Sequence, residues 1–548
     1  MSPRQPKPHL VTPAAKVIPA AKKVGASTAY DWPRAVRQSR LRPRPPKDPM
    51  SAEPVSILGT AFSEESSLSR PLCVDLDGTL VTTDTLWEGV MLLFRRRPWV
   101  VVVAPFWLLG GRARFKRAVA ESAGINPASL PYRLDLLEAL RASRARGRQL
   151  VLATAAHRTV AEGVARHLDL FDAIHASDGE SNLKGTTKRD MLKAAYGERG
   201  FDYVGDSSAD EPILEAATQG YLVGASRGAE GVARRLGSVT LVSRRPNFVR
   251  ALIKQLRVHQ WAKNALVLLP LLLAPDPISL AAMTHGILAF IAFSLCASAG
   301  YVFNDLMDIE ADRAHHSKKN RPFASGALPV ILGVPLLLVL LLGSFGLSAT
   351  LLSNRFSMML ALYLVGTLSY SFYLKRKLLL DVLVLAGLYT HRILSGGVAT
   401  EIRVSAWLLG FSMFLFTSLA FAKRYVELRA LAVGDSVMNR GYSKTDLEMV
   451  TSMGTASGYI AALVFMLYVD SAAVRASYRE PALLWLVLPV LLYWLGRLWL
   501  LAGRGQMQDD PVKFALKDPH SLACGAVIGG IAALARFAPP WLTALLPF

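Results

Sequence analysis

Two patterns of apolar residues divide the chain at about residue 245. Before this point, short apolar runs alternate with amphipathic stretches, which is typical of buried parallel strands joined by helices. After it, apolar runs of roughly 20 residues recur towards the C-terminus, and runs of this length predict membrane-spanning helices. The pattern therefore predicts a multidomain protein, an α/β domain followed by an all-α polytopic membrane bundle.

The α/β domain is predicted at residues 68–242. A long helical insertion, at about 85–148, separates its first strand from its second. The polar residues whose side chains could take part in a reaction come after the apolar runs and not within them. The expected strands are the runs at 72–74, 150–153, 173–176, 203–204 and 221–223.

Nine apolar spans are predicted in the membrane bundle, residues 246–548. The loops on the side of the α/β domain carry fifteen Lys and Arg, whereas the opposite loops carry four. Because basic residues collect in cytoplasmic loops, this bias places the α/β domain in the cytoplasm, on a multi-pass protein of the cell (inner) membrane. The spans are expected near 262–280, 281–303, 329–352, 356–373, 379–399, 404–422, 454–470, 483–503 and 521–544.

Residues 1–67 are predicted to form a disordered basic tail. The first 50 residues contain eleven Lys and Arg against two Asp, together with many prolines, so they cannot bury enough apolar surface to fold alone. The tail lacks the apolar core of a signal peptide and is expected to stay in the cytosol. Its charge, part of a net +21, favours contact with anionic lipid of the bilayer. Nucleic acid is not an expected partner, because aromatic residues that could stack on bases are not interleaved with the basic ones.

Six polar residues follow the predicted strands in the α/β domain. They lie where open α/β sheets place their sites, at the carboxyl ends of strands. Carboxylates, a hydroxyl and a lysine together suit chemistry on a phosphoryl group, since cations must neutralise charge before a carboxylate can attack an anion. In chain order these residues are Asp75, Asp77, Thr154, Lys184, Asp206 and Asp210.

Taken in that order, the six residues resemble the motifs of the haloacid-dehalogenase phosphatase superfamily. The resemblance implies a Rossmann-like fold in which the insertion at 85–148 is a substrate-selecting cap. It implies that Asp75 attacks the phosphoryl group, while Asp77 protonates the leaving oxygen and later activates water. It also implies that Thr154 binds the phosphoryl oxygens.

The same resemblance implies Mg²⁺ as a cofactor of the α/β domain. Asp206 and Asp210 would hold the ion beside Asp75. Lys184 is the lysine expected to bind the phosphoryl oxygens with Thr154, from its place in Asn-Leu-Lys-Gly. Lys188, four residues later, is the alternative.

A second acidic site is predicted at the end of the second span, in the segment 301–313. Asn304, Asp308 and Asp312 recur at steps of four, so they share one face of a helix. An amide and two carboxylates can hold Mg²⁺ and leave positions for a diphosphate, and Asp305 is an alternative ligand to Asn304. The other interpretation is a solvated helix cap whose acids pair with the basic residues that follow.

The segment 257–264, the acidic segment and the nine spans together resemble the UbiA superfamily of intramembrane prenyltransferases. The resemblance implies a helical bundle with a cavity open to lipid, in which a polyprenyl chain lies with its phosphate end at Mg²⁺. Ordinary members carry a second aspartate-rich motif after the sixth span. In this chain that loop contains Lys423, Arg424 and Glu427 instead, which indicates direct contact between cations and phosphate.

The segment 257–264, the acidic segment, the segment 370–375 with Asp381, the pair Lys423 and Arg424, and the segment 504–515 together resemble one branch of this superfamily, the decaprenyl-phosphate phosphoribosyltransferases. The resemblance implies Mg²⁺-dependent transfer of 5-phosphoribose from phosphoribosyl diphosphate to a polyprenyl phosphate, a step in cell wall biosynthesis. Cations would bring the two anionic substrates together. The candidate substrate-binding residues are Arg257, Lys263, Asn264, Lys375, Asp381, Lys423, Arg424 and Glu427.

The fusion of two such domains predicts a two-step enzyme. The membrane bundle would make a polyprenyl-phosphoryl 5-phosphoribose, and the tethered phosphatase would remove the 5-phosphate. Two alternatives are a prenyltransferase that acts on prenyl diphosphate and an aromatic acceptor, and a lipid-phosphate phosphatase with the membrane part as an anchor. The sequence leaves open the polyprenyl length, the oligomeric state and the downstream glycan.

Overall fold

A six-stranded parallel sheet forms the centre of the α/β domain in the computed structural model, which describes residues 62, 65–97, 99–100, 106–107, 109, 111–178, 182–274, 277–431, 441–507 and 510–539. The predicted tail lies outside the described residues except for residues 62 and 65–67. The strands are β1 (Leu72–Val74), β2 (Leu150–His157), β3 (Ala173–Ser177), β4 (Asp202–Gly205), β5 (Gly220–Leu222) and β6 (Val239–Leu241).

The strand order is β3-β2-β1-β4-β5-β6, and all neighbours are parallel. The five predicted strands are present, and β6 was not predicted. β6 pairs only with β5 at the edge of the sheet, so its short sequence carries little of the apolar signal that marks the central strands.

Alternate side chains of the central strands enter two apolar cores, one on each face of the sheet. Leu72 and Val74 of β1 lie in one core, and Cys73 between them lies in the other. A parallel sheet that is covered on both faces must be apolar on both, which explains why these strands are continuous apolar runs.

Helices cover the two faces of the sheet, and three of those that the structure describes lie between β1 and β2, where the insertion was predicted. The helices of this part are α1 (Glu65–Leu68), α2 (Thr85–Arg96), α3 (Arg112–Ala123), α4 (Leu134–Ala145), α5 (Arg158–Leu168), α6 (Thr186–Tyr196), α7 (Glu211–Ala216) and α8 (Arg227–Arg235).

The rest of the described chain is helical. The longest of the described helices, α11 (Leu280–Met307) and α16 (Ala406–Arg429), are apolar over most of their length, as the sequence predicts. The helices are α9 (Phe248–Leu256), α10 (Leu269–Leu272), α11 (Leu280–Met307), α12 (Ile309–Ala314), α13 (Gly333–Leu351), α14 (Asn354–Phe372), α15 (Leu380–Thr400), α16 (Ala406–Arg429), α17 (Leu447–Val469), α18 (Ala472–Ser477), α19 (Val487–Gly503), α20 (Pro511–Ala515) and α21 (Pro519–Phe537).

Seven helices in the described part of the chain are long and apolar enough to cross a membrane, so the predicted number of nine is not confirmed. The expected span at 262–280 contains a 3-10 segment, Val258–Leu268, and the short α10. Pro270 lies at the start of α10, where it has no amide hydrogen for the helical ladder. The expected span at 356–373 is α14, which has 19 residues and is not among the seven.

The α/β domain and the membrane bundle belong to one compact unit, residues 52–548. Arg313 of α12 donates to both carboxylate oxygens of Glu88 in α2, at 2.5 and 3.2 Å. Thr82 Oγ1 donates to the carbonyl of Ser325 at 2.9 Å. Gly326 has φ +72°, and a Cβ there would lie 2.3 Å from Thr82 Oγ1, so only glycine permits this close approach of the two parts.

Candidate active sites

Three buried carboxylates meet at the carboxyl edge of the sheet. Asp75 follows β1, and Asp206 and Asp210 follow β4, the strand that pairs with β1. One oxygen from each carboxylate lies within 4.8 Å of the others. Hard oxygen donors at this spacing suit a shared divalent cation such as Mg²⁺.

Burial opposes ionisation of the acids at this edge. Burial and the carboxylates of Asp210 and Asp206 raise the pKa of Asp75 to about 7, although Lys188 opposes the rise. Burial, with Asp84 nearby, also raises the pKa of Asp77 well above its usual value. A bound cation would offset the repulsion within the cluster, so the donor set fits the ion that the motifs imply.

Lys188, and not Lys184, contacts Asp75. Its Nζ donates to Asp75 Oδ1 at 2.9 Å and to the hydroxyl of Tyr203 at 3.0 Å, and the residue is buried. Lys184 is exposed on the same cavity. Lys188 reaches Asp75 because α6 begins at Thr186 and places Lys188 in its first turn, against the sheet. This contact favours Lys188, the alternative, and the role of Lys184 in binding the phosphoryl oxygens stays a prediction.

The remaining motif residues lie at the same edge. Thr154 is fully buried, and its Oγ1 accepts a hydrogen bond from the backbone amide of Ala156 at 3.0 Å. Asp77 Oδ1 accepts one from the amide of Thr85 at 2.8 Å, which ties the loop after β1 to the start of α2. Gly78 has φ +78°, and a Cβ there would lie 2.3 Å from Asp206 Oδ2. The loop after β1 therefore lies directly against the acid that follows β4.

The acidic segment of the membrane bundle bends at Asp308, between α11 and α12. The amide of Asp308 donates to the carbonyl of Asn304 at 3.0 Å, and that of Asp312 to the carbonyl of Asp308 at 2.8 Å, so the predicted row is kept along the backbone. Asp312, however, is buried and accepts a hydrogen bond from Arg321 at 2.6 Å. Among the residues that the structure describes, the side chains of Asn304 and Asp308 have no hydrogen-bond or ion-pair partner. These two are therefore the residues of the row that can accept a cation.

Asp305 is the most heavily paired acid of the segment. It is buried, and it accepts hydrogen bonds from Gln255 at 2.9 Å, Arg257 at 2.6 Å and Arg321 at 3.0 Å. Because Arg321 also binds Asp312, the loop after α12 folds back over the acidic segment. Asp305 thus holds the chain around Arg257 and presents no unpaired carboxylate.

Lys263 and Lys423 converge on one acid, Asp510. Their Nζ atoms lie 2.7 and 3.8 Å from Asp510 Oδ2. Burial raises the pKa of Asp510, but the two lysines outweigh burial and lower it below the usual range. The three residues come from segments far apart in the chain and bring two cations to one place, as binding of a polyanion requires.

Arg424 is fully buried in an ion-pair network, which corrects its predicted role as a residue that grips phosphate. Its Nε lies 2.9 Å from Asp381 Oδ2, and its Nη1 pairs with Glu427. The hydroxyl of Tyr442 donates to the other oxygen of Asp381 at 2.8 Å. The pair of Asp381 with Arg424 therefore joins α15 to α16. An arginine that is buried with two carboxylate partners has little charge left for a substrate.

Asn264 is buried and binds a residue that sequence reasoning missed. Its Oδ1 accepts a hydrogen bond from Arg392 Nε at 3.1 Å, and its amide donates to Ser294 Oγ at 3.1 Å. Arg392 also donates to the hydroxyl of Tyr363 at 3.0 Å. Lys375 lies in a 3-10 turn, Leu374–Arg376, after α14 and is half-buried.

The two parts of the chain match two known families. Residues 265–517 match the UbiA prenyltransferase family, and residues 72–215 match haloacid dehalogenase-like hydrolases. An uncharacterized protein, y4nM, of Sinorhizobium fredii is 39% identical over 84% of this chain and 89% of its own length. Decaprenyl-phosphate phosphoribosyltransferase of Mycobacterium tuberculosis is 34% identical over 38% of this chain and 72% of its own length. The chain belongs to the UbiA prenyltransferase family and carries an N-terminal haloacid dehalogenase-like domain.

The fold is also similar to that of a solved UbiA homolog from Archaeoglobus fulgidus, bound to DMAPP and Mg²⁺. The match covers 52% of this chain and 99% of the homolog, with 13% identity and a TM-score of 0.40. The two family matches make the protein an enzyme, a transferase with a phosphatase domain. Both families are typically dependent on a divalent metal, which agrees with the two acidic sites.

Two basic residues at the phosphatase site were not among the residues predicted from the sequence. Lys116 of α3 donates to the carbonyl of Ala155 and to Asn182 Oδ1, both at 3.0 Å. Arg245, after β6, forms an ion pair with Asp206. No motif spacing marks either residue, because both reach the site only through the packing of the cap and of the last strand.

Proposed function

We propose that this protein transfers 5-phosphoribose from phosphoribosyl diphosphate to a polyprenyl phosphate in a Mg²⁺-dependent reaction, and that its phosphatase domain then removes the 5-phosphate from the lipid-linked product. The observation that carries the first step is the pair of lysines at Asp510, because two cations held close together suit direct binding of phosphate groups. The similarity to decaprenyl-phosphate phosphoribosyltransferase supports the same choice.

In the first step the bond between ribose C1 and the diphosphate oxygen breaks, and C1 bonds to an oxygen of the lipid phosphate. The diphosphate leaves, so the total charge is conserved and no base is needed. Asn304 and Asp308 are the side chains that would hold Mg²⁺, which when bound neutralises charge on the diphosphate. Lys263 and Lys423 bind the anions, with Asp510 keeping the two lysines oriented until substrate enters.

In the second step Asp75 attacks the phosphorus of the 5-phosphate and the bond to ribose O5 breaks. Asp77, whose pKa burial raises well above its usual value, gives its proton to O5. Water then attacks the aspartyl-phosphate and Asp77 takes a proton from it. The products are inorganic phosphate and a polyprenyl-phosphoryl ribose, and Lys188 orients Asp75 throughout.

The cytoplasmic placement of the phosphatase domain belongs to the same proposal. It rests on the excess of Lys and Arg in the loops on that side. Phosphoribosyl diphosphate is highly charged and soluble in water, so it would reach the protein from the cytosol. Both steps would then occur at one membrane face. The contact of the basic tail with anionic lipid stays a prediction.

The test is an incubation of the purified full-length protein in detergent with Mg²⁺, labelled phosphoribosyl diphosphate and a polyprenyl phosphate. We expect label in the organic phase, and its loss in Asp308→Ala. Product from the wild type should lack the 5-phosphate, and product from Asp75→Asn should retain it. No transfer, together with prenylation of an aromatic acceptor from prenyl diphosphate, would replace the proposal by the ordinary prenyltransferase reaction. Phosphate release that Asp308→Ala leaves unchanged, without any transfer, would leave an anchored lipid-phosphate phosphatase.

A further inference from the structure

The cavity above Asp75 is larger than a phosphate pocket and continues into the membrane bundle. Its volume is ≈1450 Å³, above the roughly 300–1,000 Å³ of ordinary small-molecule sites. The motif residues form part of its lining. Another part, the membrane-side wall, consists of the segments 247–249 and 325–331, which belong to the first helix after the α/β domain and to the loop that follows the acidic segment.

This membrane-side wall exposes large apolar side chains. Phe248 and Val249 at the start of α9 are 49% and 61% exposed, and Ile331 is 43% exposed. The wall is held in place at Ser325, whose carbonyl accepts the hydrogen bond from Thr82 in the loop after β1. Exposed apolar side chains that lead from a hydrophilic site towards membrane helices suit a lipid chain.

Two arginines of α8 face the same cavity without partners. Arg227 and Arg234 both line it and both are exposed. Within the described ranges neither forms an ion pair or a side-chain hydrogen bond, whereas Arg244 beside them pairs with Glu230 at 3.4 Å. Lys188 already pairs with Asp75 at the motif residues, so the two unpaired arginines are available to a second anionic group.

We propose that Arg227 and Arg234 form a second anion subsite, which binds the phosphodiester of a lipid-linked phosphomonoester while the monoester lies at Asp75 and the lipid chain follows Phe248, Val249 and Ile331. This inference rests on the proposed function, and it narrows the phosphatase to substrates that carry both a phosphodiester and a lipid. The hydrolysis at Asp75 is unchanged. The subsite selects the substrate, and the wall from the membrane bundle lets the product of the first step be hydrolysed without leaving the bilayer.

The test compares two substrates of the full-length protein in nanodiscs of neutral phosphatidylcholine, where bilayer headgroups carry no net charge. One substrate is synthetic polyprenyl-phosphoryl 5-phosphoribose and the other is soluble ribose 5-phosphate. The measured quantity is the ratio of their kcat/KM values for phosphate release. We expect a ratio far above one in the wild type, and a fall of about tenfold or more in Arg234→Gln and in Arg227→Gln, mainly through the KM of the lipid-linked substrate.

The matched control is Arg235→Gln. Arg235 neighbours Arg234 on α8 but pairs with Glu211 outside the cavity, so the ratio should stay at the wild-type value. A ratio near one in the wild type, or an equal ratio in all three variants, overturns the subsite and leaves the proposed function standing. A wild type that releases no phosphate from the lipid-linked substrate overturns the proposed function as well, so the two failures are distinct.

Discussion

Burial raises the pKa of Asp75 from its usual value of 3.8 to about 7 when no cation is bound. Between these values the folded protein retains a proton that the unfolded chain has released, so this group makes the protein less stable as pH rises from about 4 to 7. Mg²⁺ requires the ionised carboxylate. We therefore expect Mg²⁺ to raise the melting temperature of the phosphatase domain more at pH 8 than at pH 5, relative to EDTA.

The measurement is the Tm of the full-length protein in detergent at the two pH values, with and without Mg²⁺. Asp75→Asn should shrink the pH dependence of the Mg²⁺ effect, because the variant lacks the titrating group. An equal gain in Tm at both pH values in the wild type would contradict the expectation.

Lys188 Nζ contacts the carboxylate of Asp75, whereas Lys184 is exposed on the same cavity. We expect Lys188→Ala to lower kcat for phosphate release by about 10²–10³-fold, the usual cost of removing one preorganised group that stabilises charge. Lys184→Ala is the matched control and should lose less than about tenfold. The rates are measured on a soluble phosphomonoester. A larger loss in Lys184→Ala than in Lys188→Ala would support Lys184, the lysine predicted from the sequence motif.

Helices α15 and α16 are joined by the buried ion pair of Asp381 and Arg424. Removing one partner leaves a buried charge and costs about 3–5 kcal/mol. Arg424→Gln should therefore lower the Tm of the membrane bundle strongly, and Asp381→Asn combined with it should restore part of the loss. The measurement is thermal unfolding in detergent, and additive losses in the double variant would show that the pair is not coupled.

Lys423, one residue before Arg424, provides the contrast on the same helix. Lys423→Gln should raise the KM for phosphoribosyl diphosphate, because the variant lacks a cation for the anionic substrate. It should change the Tm little, because Lys423 lies 3.8 Å from Asp510, which is not fully buried. A Tm loss in Lys423→Gln as large as that in Arg424→Gln would remove the distinction between a substrate-binding residue and a helix-joining one.

The two catalytic parts are connected by Glu88 and Arg313, whose side chains are each 9% exposed. Thr83 also donates to Glu88 at 2.7 Å, so the contact reaches the loop that carries Asp77. Glu88→Gln should loosen the domain contact, and we expect a larger fraction of the lipid product to keep its 5-phosphate while transfer continues. Arg95→Gln is the control, because the pair of Arg95 with Glu310 is more exposed and worth little. An unchanged product in Glu88→Gln would show that the contact is not needed for hydrolysis.

The sequence by itself determined what local pattern determines: the parallel strands, the apolar helices, the order of the phosphatase motifs and the acidic segment. A period of two or 3.6 residues, or an acid directly after a buried strand, is visible along the chain. Only the tertiary structure decided four side-chain contacts. Lys188 contacts Asp75, and Arg424 pairs with Asp381. Arg321 pairs with Asp312, and Glu88 pairs with Arg313. Each of these depends on side-chain direction and on residues distant in sequence, because burial and charge pairing select partners in space and leave no spacing in the chain.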